Sequence, residues 1–222
     1  MNRIVVIAVH PDDETLGCGG TLLKHKANGD EVYWLILTKA NQKITNIKGI
    51  ESEQLRYIRE VAAAYDFNNW KQLTFLTTEL DNYPMVEIVV GISQYINELK
   101  PNIIFLHHYG DIHSDHHVAF SAIMSCIKNF RTPFIDRVLS FETLSETEFA
   151  PAAQNYAFVP NVFSDITPYL EKKLEIMKLF TTEIMDEPFP RSLSTIRALA
   201  RYRGARIGVE YAEAFMLLFE KI

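Results

Sequence analysis

A chain that alternates strands and helices around a mostly parallel sheet is predicted by three features of these 222 residues. Short β-branched apolar runs keep giving way to longer stretches of helical period. The helical stretches stop at glycine or proline, and the two densest groups of histidine and carboxylate each follow an apolar run. Right-handed crossovers between parallel strands cover both faces of such a sheet with helices, which makes a three-layer α/β sandwich. At 48% hydrophobic and 23% charged, the chain can bury one large core, and a single domain over residues 1–222 is expected.

The elements follow in order. Residues 4–9 are the first strand, an unbroken apolar run suited to burial on both faces. Residues 15–27 read as a helix stopped by Asn28-Gly29, where glycine can take the left-handed conformation that closes a helix. Residues 32–37 and 73–76 are the next strands, and between them Leu55, Ile58, Ala62 and Tyr65 recur at helical spacing as one buried face. Ile88, Ile92, Ile96 and Leu99 do the same for the following helix, which Pro101 prevents from continuing. Residues 103–106 are a fourth strand, 118–130 a fourth crossover helix and 138–141 a fifth strand. Then come a loop with a short strand over 150–165, helices over 169–180 and 192–202, and a closing strand over 212–219.

Composition narrows the function. Net charge is −6 and the 22 Lys and Arg are scattered, so the basic footprint of a nucleic-acid binder is missing. The apolar run at 4–9 is too short for a secretory signal or a membrane span, and a cytoplasmic protein without a membrane span is expected. Cys18 and Cys126 are too few and too far apart for a disulfide framework or a Cys-x-x-Cys clip.

The chemistry sits in His10-Pro11-Asp12-Asp13-Glu14, where the first strand runs into a glycine-rich turn, and in His113-Ser114-Asp115-His116, after the fourth. Ligands of doubly wound sheets bind beyond the carboxyl ends of the strands, so both clusters belong to one edge. A catalytic zinc takes three ligands from His, Asp and Glu and leaves a fourth position for water. His10 and Asp13 are spaced to reach one ion, and His116 can complete the set from the neighbouring strand end. Asp12 is then the spare carboxylate, placed to accept a proton from water activated by the ion. His113, charged and oriented by Asp115, would stabilise an oxyanion. An Asp pair after a strand also serves as a helix cap, and the matched second cluster is what weighs against that reading.

The first cluster with Leu16-Gly17 and Gly19-Gly20-Thr21 resembles the first motif of the LmbE/PIG-L family of zinc-dependent de-N-acetylases, and His113-Ser114-Asp115-His116 resembles the second. Arg56, Phe141-Glu142, Arg203-Gly204 and the run 208–215 extend the likeness over the whole chain. The resemblance implies a Rossmann-like sheet, Zn2+ on His10, Asp13 and His116, Asp12 as base and then acid, and His113 as transition-state stabiliser. It implies a small-molecule substrate, an N-acetylglucosamine-type sugar or its conjugate, and favours His116 over the adjoining His117. Ser114 stands where proline is common in some members.

Other residues carry two readings each. Arg56 is a candidate substrate contact or part of a solvated helix face, and Glu142 a substrate contact or a structural group at the rim. Arg203 and Glu210 reach the pocket or a neighbouring subunit, which leaves a homo-oligomer open. His107 and His108 line the pocket or are hydrogen-bonded structure. Gly17, Gly19 and Gly20 read as close helix-to-sheet packing, since their spacing departs from the dinucleotide fingerprint and the preceding carboxylates would repel phosphate. Loops 40–49 and 146–161 are expected to bind the aglycone. The alternatives to a deacetylase are a hydrolase of another amide, on a bacillithiol- or mycothiol-like conjugate, and a non-catalytic sugar-binding module.

Overall fold

The computed structural model describes residues 1–45 and 49–222; residues 46–48 of the 40–49 loop lie outside the described residues. Seven strands form one sheet in the order β3-β2-β1-β4-β5-β7-β6. These are β1 (Arg3–Ala8), β2 (Glu31–Lys39), β3 (Asn69–Leu76), β4 (Ile103–His107), β5 (Arg137–Phe141), β6 (Val162–Asp165) and β7 (Ala212–Glu220). The first five are parallel neighbours, and β7 runs antiparallel between β5 and β6. The expected mostly parallel α/β sheet is therefore present, with the closing strand reversed.

Helices α1 (Asp13–Ala27), α2 (Gln42–Thr45), α3 (Ile50–Tyr65), α4 (Met85–Leu99), α5 (Ser114–Cys126), α6 (Leu170–Met177) and α7 (Leu193–Ala205) complete the chain. No described helix is long and apolar enough to cross a membrane. Alternate residues of β1 feed two cores, Ile4, Val6 and Ala8 on one face and Val5 and Ile7 on the other. All five are fully buried, and each Ile or Val side chain contributes roughly 1.5–3 kcal/mol in leaving water.

Because β1 lies between β2 and β4, the crossovers leave it in opposite directions, and the crevice of such a sheet opens at this reversal. The first motif leaves β1 there, and the second follows β4, which pairs with β1 from Ile4↔Ile103 to Ile7↔Leu106. Helix α1 approaches the sheet closely: a Cβ at Gly17 would lie 2.0 Å from the Phe141 ring and one at Gly20 2.8 Å from Ile166. The glycines thus serve packing. A buried ion pair, Lys173–Glu213 at 2.8 Å, fastens the same helix. Glu213 accepts the N–H groups of Gly20 and Thr21, and Lys173 donates to the Leu16 carbonyl.

Two boundaries differ from expectation in ways that matter. Helix α5 starts at Ser114 rather than 118, so the second cluster is a helix N-terminus instead of a loop. Strand β3 starts at Asn69 rather than 73; it is an edge strand with mostly half-exposed or exposed side chains, so polar residues Asn69, Lys71 and Gln72 are tolerated and the apolar signal is weak.

Candidate active site

The first motif is built by backbone hydrogen bonds that turn the chain off β1. Asp13 Oδ2 accepts the N–H groups of Val9 and His10, both at 2.9 Å. Asp12, at φ 155° and ψ −25°, stands outside the regions that L residues favour, a conformation costing about 1–3 kcal/mol. Glu14 holds it there, accepting the Asp12 N–H at 3.2 Å and the Thr15 hydroxyl at 2.7 Å, while the Asp12 carbonyl accepts from Thr15 and Leu16. Asp12 occupies the N-cap position of α1, yet its side chain caps nothing. Its Oδ2 instead accepts from Arg191 Nη1 at 3.0 Å.

The second motif is a regular helix start. His113 is the N-cap of α5, and its Nδ1 accepts the Asp115 N–H at 3.1 Å. In the neutral ring the proton is then on Nε2. Burial, with His10 and His116 adjoining, pushes the imidazole down to about 4. That direction runs against the expected cationic His113. The Asp115 carboxylate faces elsewhere, accepting from the N–H groups of Thr78 and Leu80 and lying 3.2 Å from His10 Nε2. Asp115 therefore braces a ring of the first motif and the loop after β3.

His116 is fully buried, and its Nδ1 lies 2.9 Å from Asp111 Oδ2, whose other oxygen accepts the Thr147 hydroxyl at 2.6 Å. With the proton on Nδ1, Nε2 carries a lone pair. It is buried without a hydrogen-bond partner and lies 3.5 Å from Asp13 Oδ2. Burial pushes the His116 imidazole down to about 4, against the pull of Asp13. Burial also opposes ionisation of Asp13, but the adjoining His116 and His10 and the His10 N–H hold its carboxyl below the usual range. Two acceptors facing each other in a dry site are relieved by a cation. One donor atom each from His10, Asp13 and His116 lies within 4.8 Å of the others; so does a set from His10, His113 and Asp115. The first set fits an ion better, since both Asp115 oxygens are already occupied, whereas only Oδ2 of Asp13 accepts hydrogen bonds among the described residues and Oδ1 is left for a cation.

Around these groups lies a cavity of about 300 Å³, at the lower end of the range for small-molecule sites. It is lined by His10, Asp12, Asp13 and His113, by the apolar residues Leu16, Ala40, Ile44, Ile50, Tyr57 and Leu144, and by the charged residues Glu146, Glu183 and Arg191. Burial, reinforced by Asp13 and Asp111, pushes the Glu146 carboxyl up to about 7.

The six motif residues named from the sequence converge here, but two substrate candidates do not. Arg56 is exposed and pairs with Glu60 one turn on. Its neighbour Tyr57 lines the cavity, because Gln54, Tyr57, Ile58 and Val61 are the buried stripe of α3 and Arg56 is on the other side. Glu142 is bound by both oxygens to Arg203, at 2.8 and 2.6 Å, outside this cavity. His107 and His108 are buried and lie 2.7 and 3.0 Å from the carbonyls of His116 and Tyr156. His117 is exposed. Sequence reasoning missed Asp111, a carboxylate five residues before His116, which its proximity to the cluster could have signalled. It also missed Arg191, for which 179 residues of separation from Asp12 leave no local signal.

A model of the family described as PIG-L, GlcNAc-PI de-N-acetylase, matches residues 5–127, a span that includes both motifs. The diacetylchitobiose deacetylase of Thermococcus kodakarensis is 26% identical over 222 residues, covering 96% of this chain and 82% of that protein. Among solved structures, the conserved protein TT1542 of Thermus thermophilus aligns with a TM-score of 0.79 at 24% identity, covering 100% of this chain and 97% of the other. The 4-carboxy-2-hydroxymuconate hydratase GalB of Pseudomonas putida gives 0.73 at 16% identity, covering 100% and 98%. The shared fold thus accommodates a hydratase as well, and the reaction has to be argued from the site.

Proposed function

The chain belongs to the PIG-L family of de-N-acetylases, and from that premise we propose that it is a zinc-dependent hydrolase removing the acetyl group from an N-acetylglucosamine-type sugar or its conjugate. The observation that carries the metal part is the buried, unpartnered Nε2 of His116 facing Asp13, with Asp111 on the opposite nitrogen. Metal-ligating histidines characteristically give their other N–H to a carboxylate. His10, Asp13 and His116 would hold the ion. When bound, it polarises the amide carbonyl and makes water nucleophilic near neutral pH.

Asp12 takes the proton of the attacking water as the water oxygen bonds to the acyl carbon. The same carboxyl returns that proton to the sugar nitrogen as the C–N bond breaks, leaving acetate and a free amine. Burial, with Glu183 and Asp13 nearby, pushes the Asp12 carboxyl well above the usual range, and Arg191 pulls the other way. His113 presents Nε2–H to the oxyanion, and as a neutral donor it needs no charge to do so. The apolar residues lining the cavity support a conjugate over a free sugar.

The reading includes a single domain, a cytoplasmic location and a small-molecule amino-sugar substrate. Acetate release from a panel of N-acetylglucosaminides, with metal measured on the same sample, tests it. Turnover by rigorously metal-free protein would refute it.

A further inference from the structure

We propose that Arg191 is the positioning residue for the base, holding Asp12 by one carboxylate oxygen and anchoring it to Glu183 so that the other oxygen is the one left for the proton of the water. The inference rests on Asp12 being that base. Arg191 Nη1 donates to Asp12 Oδ2 at 3.0 Å and to Glu183 Oε2 at 2.7 Å. Asp12 Oδ1 makes no hydrogen bond among the described residues.

The need for such an anchor follows from where Asp12 stands. Its main chain is pinned on both sides, by Glu14 on the N–H and by Thr15 and Leu16 on the carbonyl, so the freedom that remains is side-chain rotation. Two attractors compete for a carboxylate at this position. One is the N-terminus of α1, whose free N–H groups an N-cap aspartate ordinarily accepts, although Asp12 does not. The other is a cation on the neighbouring Asp13. Arg191, arriving from the segment before α7, supplies a third, charge-assisted contact that occupies Oδ2. Glu183 fixes the guanidinium in turn, and Glu183, Asp12 and Arg191 all line the cavity.

The test is a double-mutant cycle on the zinc-loaded enzyme, with an N-acetylglucosaminide that the wild type hydrolyses. Arg191→Gln should retain wild-type metal per chain and a KM within about twofold while kcat falls roughly 100-fold, the cost of a misplaced reacting group. In an Asp12→Asn background the same change should cost nothing further, because there is no base left to position. Ethylguanidinium added to Arg191→Ala should restore part of kcat, a rescue that also shows the variant to be folded. A raised KM with kcat intact would make Arg191 a substrate contact instead, and a full additional loss in the Asp12→Asn background would show that it does not act through Asp12. Either result overturns the inference while leaving the deacetylase reading in place; a zinc-loaded wild type that releases no acetate overturns that reading itself.

Discussion

The loop after β1 and the turn that opens α5 carry the same residue types to the same crevice, yet they are built in opposite ways. In the loop His10–Glu14 the backbone is strained at Asp12, and the carboxylates of Asp12 and Asp13 face the cavity. In the turn at His113–His116 the backbone is a regular helix start, and the carboxylates stand behind imidazoles: Asp111 behind His116, and Asp115 behind His10 across the crevice. One region turns two buried acids, Asp12 and Asp13, toward the cavity, and the other uses its acids as braces. The difference teaches that carboxylates near a candidate metal are not equivalent, and that what separates them is the atom each already holds.

The largest effect should come from the residues that join the two regions. His116→Ala or Asp13→Ala should lose the metal and reduce acetate release to background, measured by metal analysis and assay of one preparation. Retained stoichiometric metal in both variants would mean that the set His10, His113 and Asp115 is the site. Next comes the cavity-facing acid that is not a ligand. Asp12→Asn should keep its metal and lose about 100- to 10,000-fold in kcat, the usual range for a positioned acid–base group. Loss of metal in step with activity would make Asp12 a ligand and erase the distinction.

A smaller effect, about 100- to 1,000-fold in kcat with metal retained, is expected for His113→Gln as an oxyanion donor. The pH profile sharpens the comparison. With the imidazole pushed down to about 4, a neutral His113 is expected in the neutral and alkaline range. Any falling alkaline limb therefore belongs to another group and should survive in His113→Gln. A limb that disappears in the variant would restore a cationic His113. The smallest effect falls on the braces. Asp111→Asn should weaken metal binding by about 10- to 100-fold, read by chelator competition, with kcat largely recovered at saturating metal. An unchanged affinity would mean that Asp111 does not orient His116.

The sheet was legible because its information is local. Five strands and the helices between them declare themselves through runs and periods of a few residues, and the two motifs follow strands whose neighbours are set by the short crossovers of a parallel fold. That was enough to bring His10, Asp12, Asp13, His113, Asp115 and His116 to one edge. Of the two readings open for Arg56, the solvated face is the one the structure shows, and the sequence could not choose because a helix turns about 100° per residue, so one position decides whether a side chain faces the cavity, and Tyr57 does.

The sequence by itself thus determined the α/β class, the strand ends that carry the chemistry and the residue types available for it, since each depends on neighbours along the chain. Only the tertiary structure decided which carboxylate serves which ring. Asp115 turns to His10 across 105 residues, Arg191 reaches Asp12 across 179, and Glu142 is taken up by Arg203 across 61. The physical reason is that a hydrogen bond selects by distance and direction over a few ångströms, and those are fixed only when segments far apart in sequence have packed.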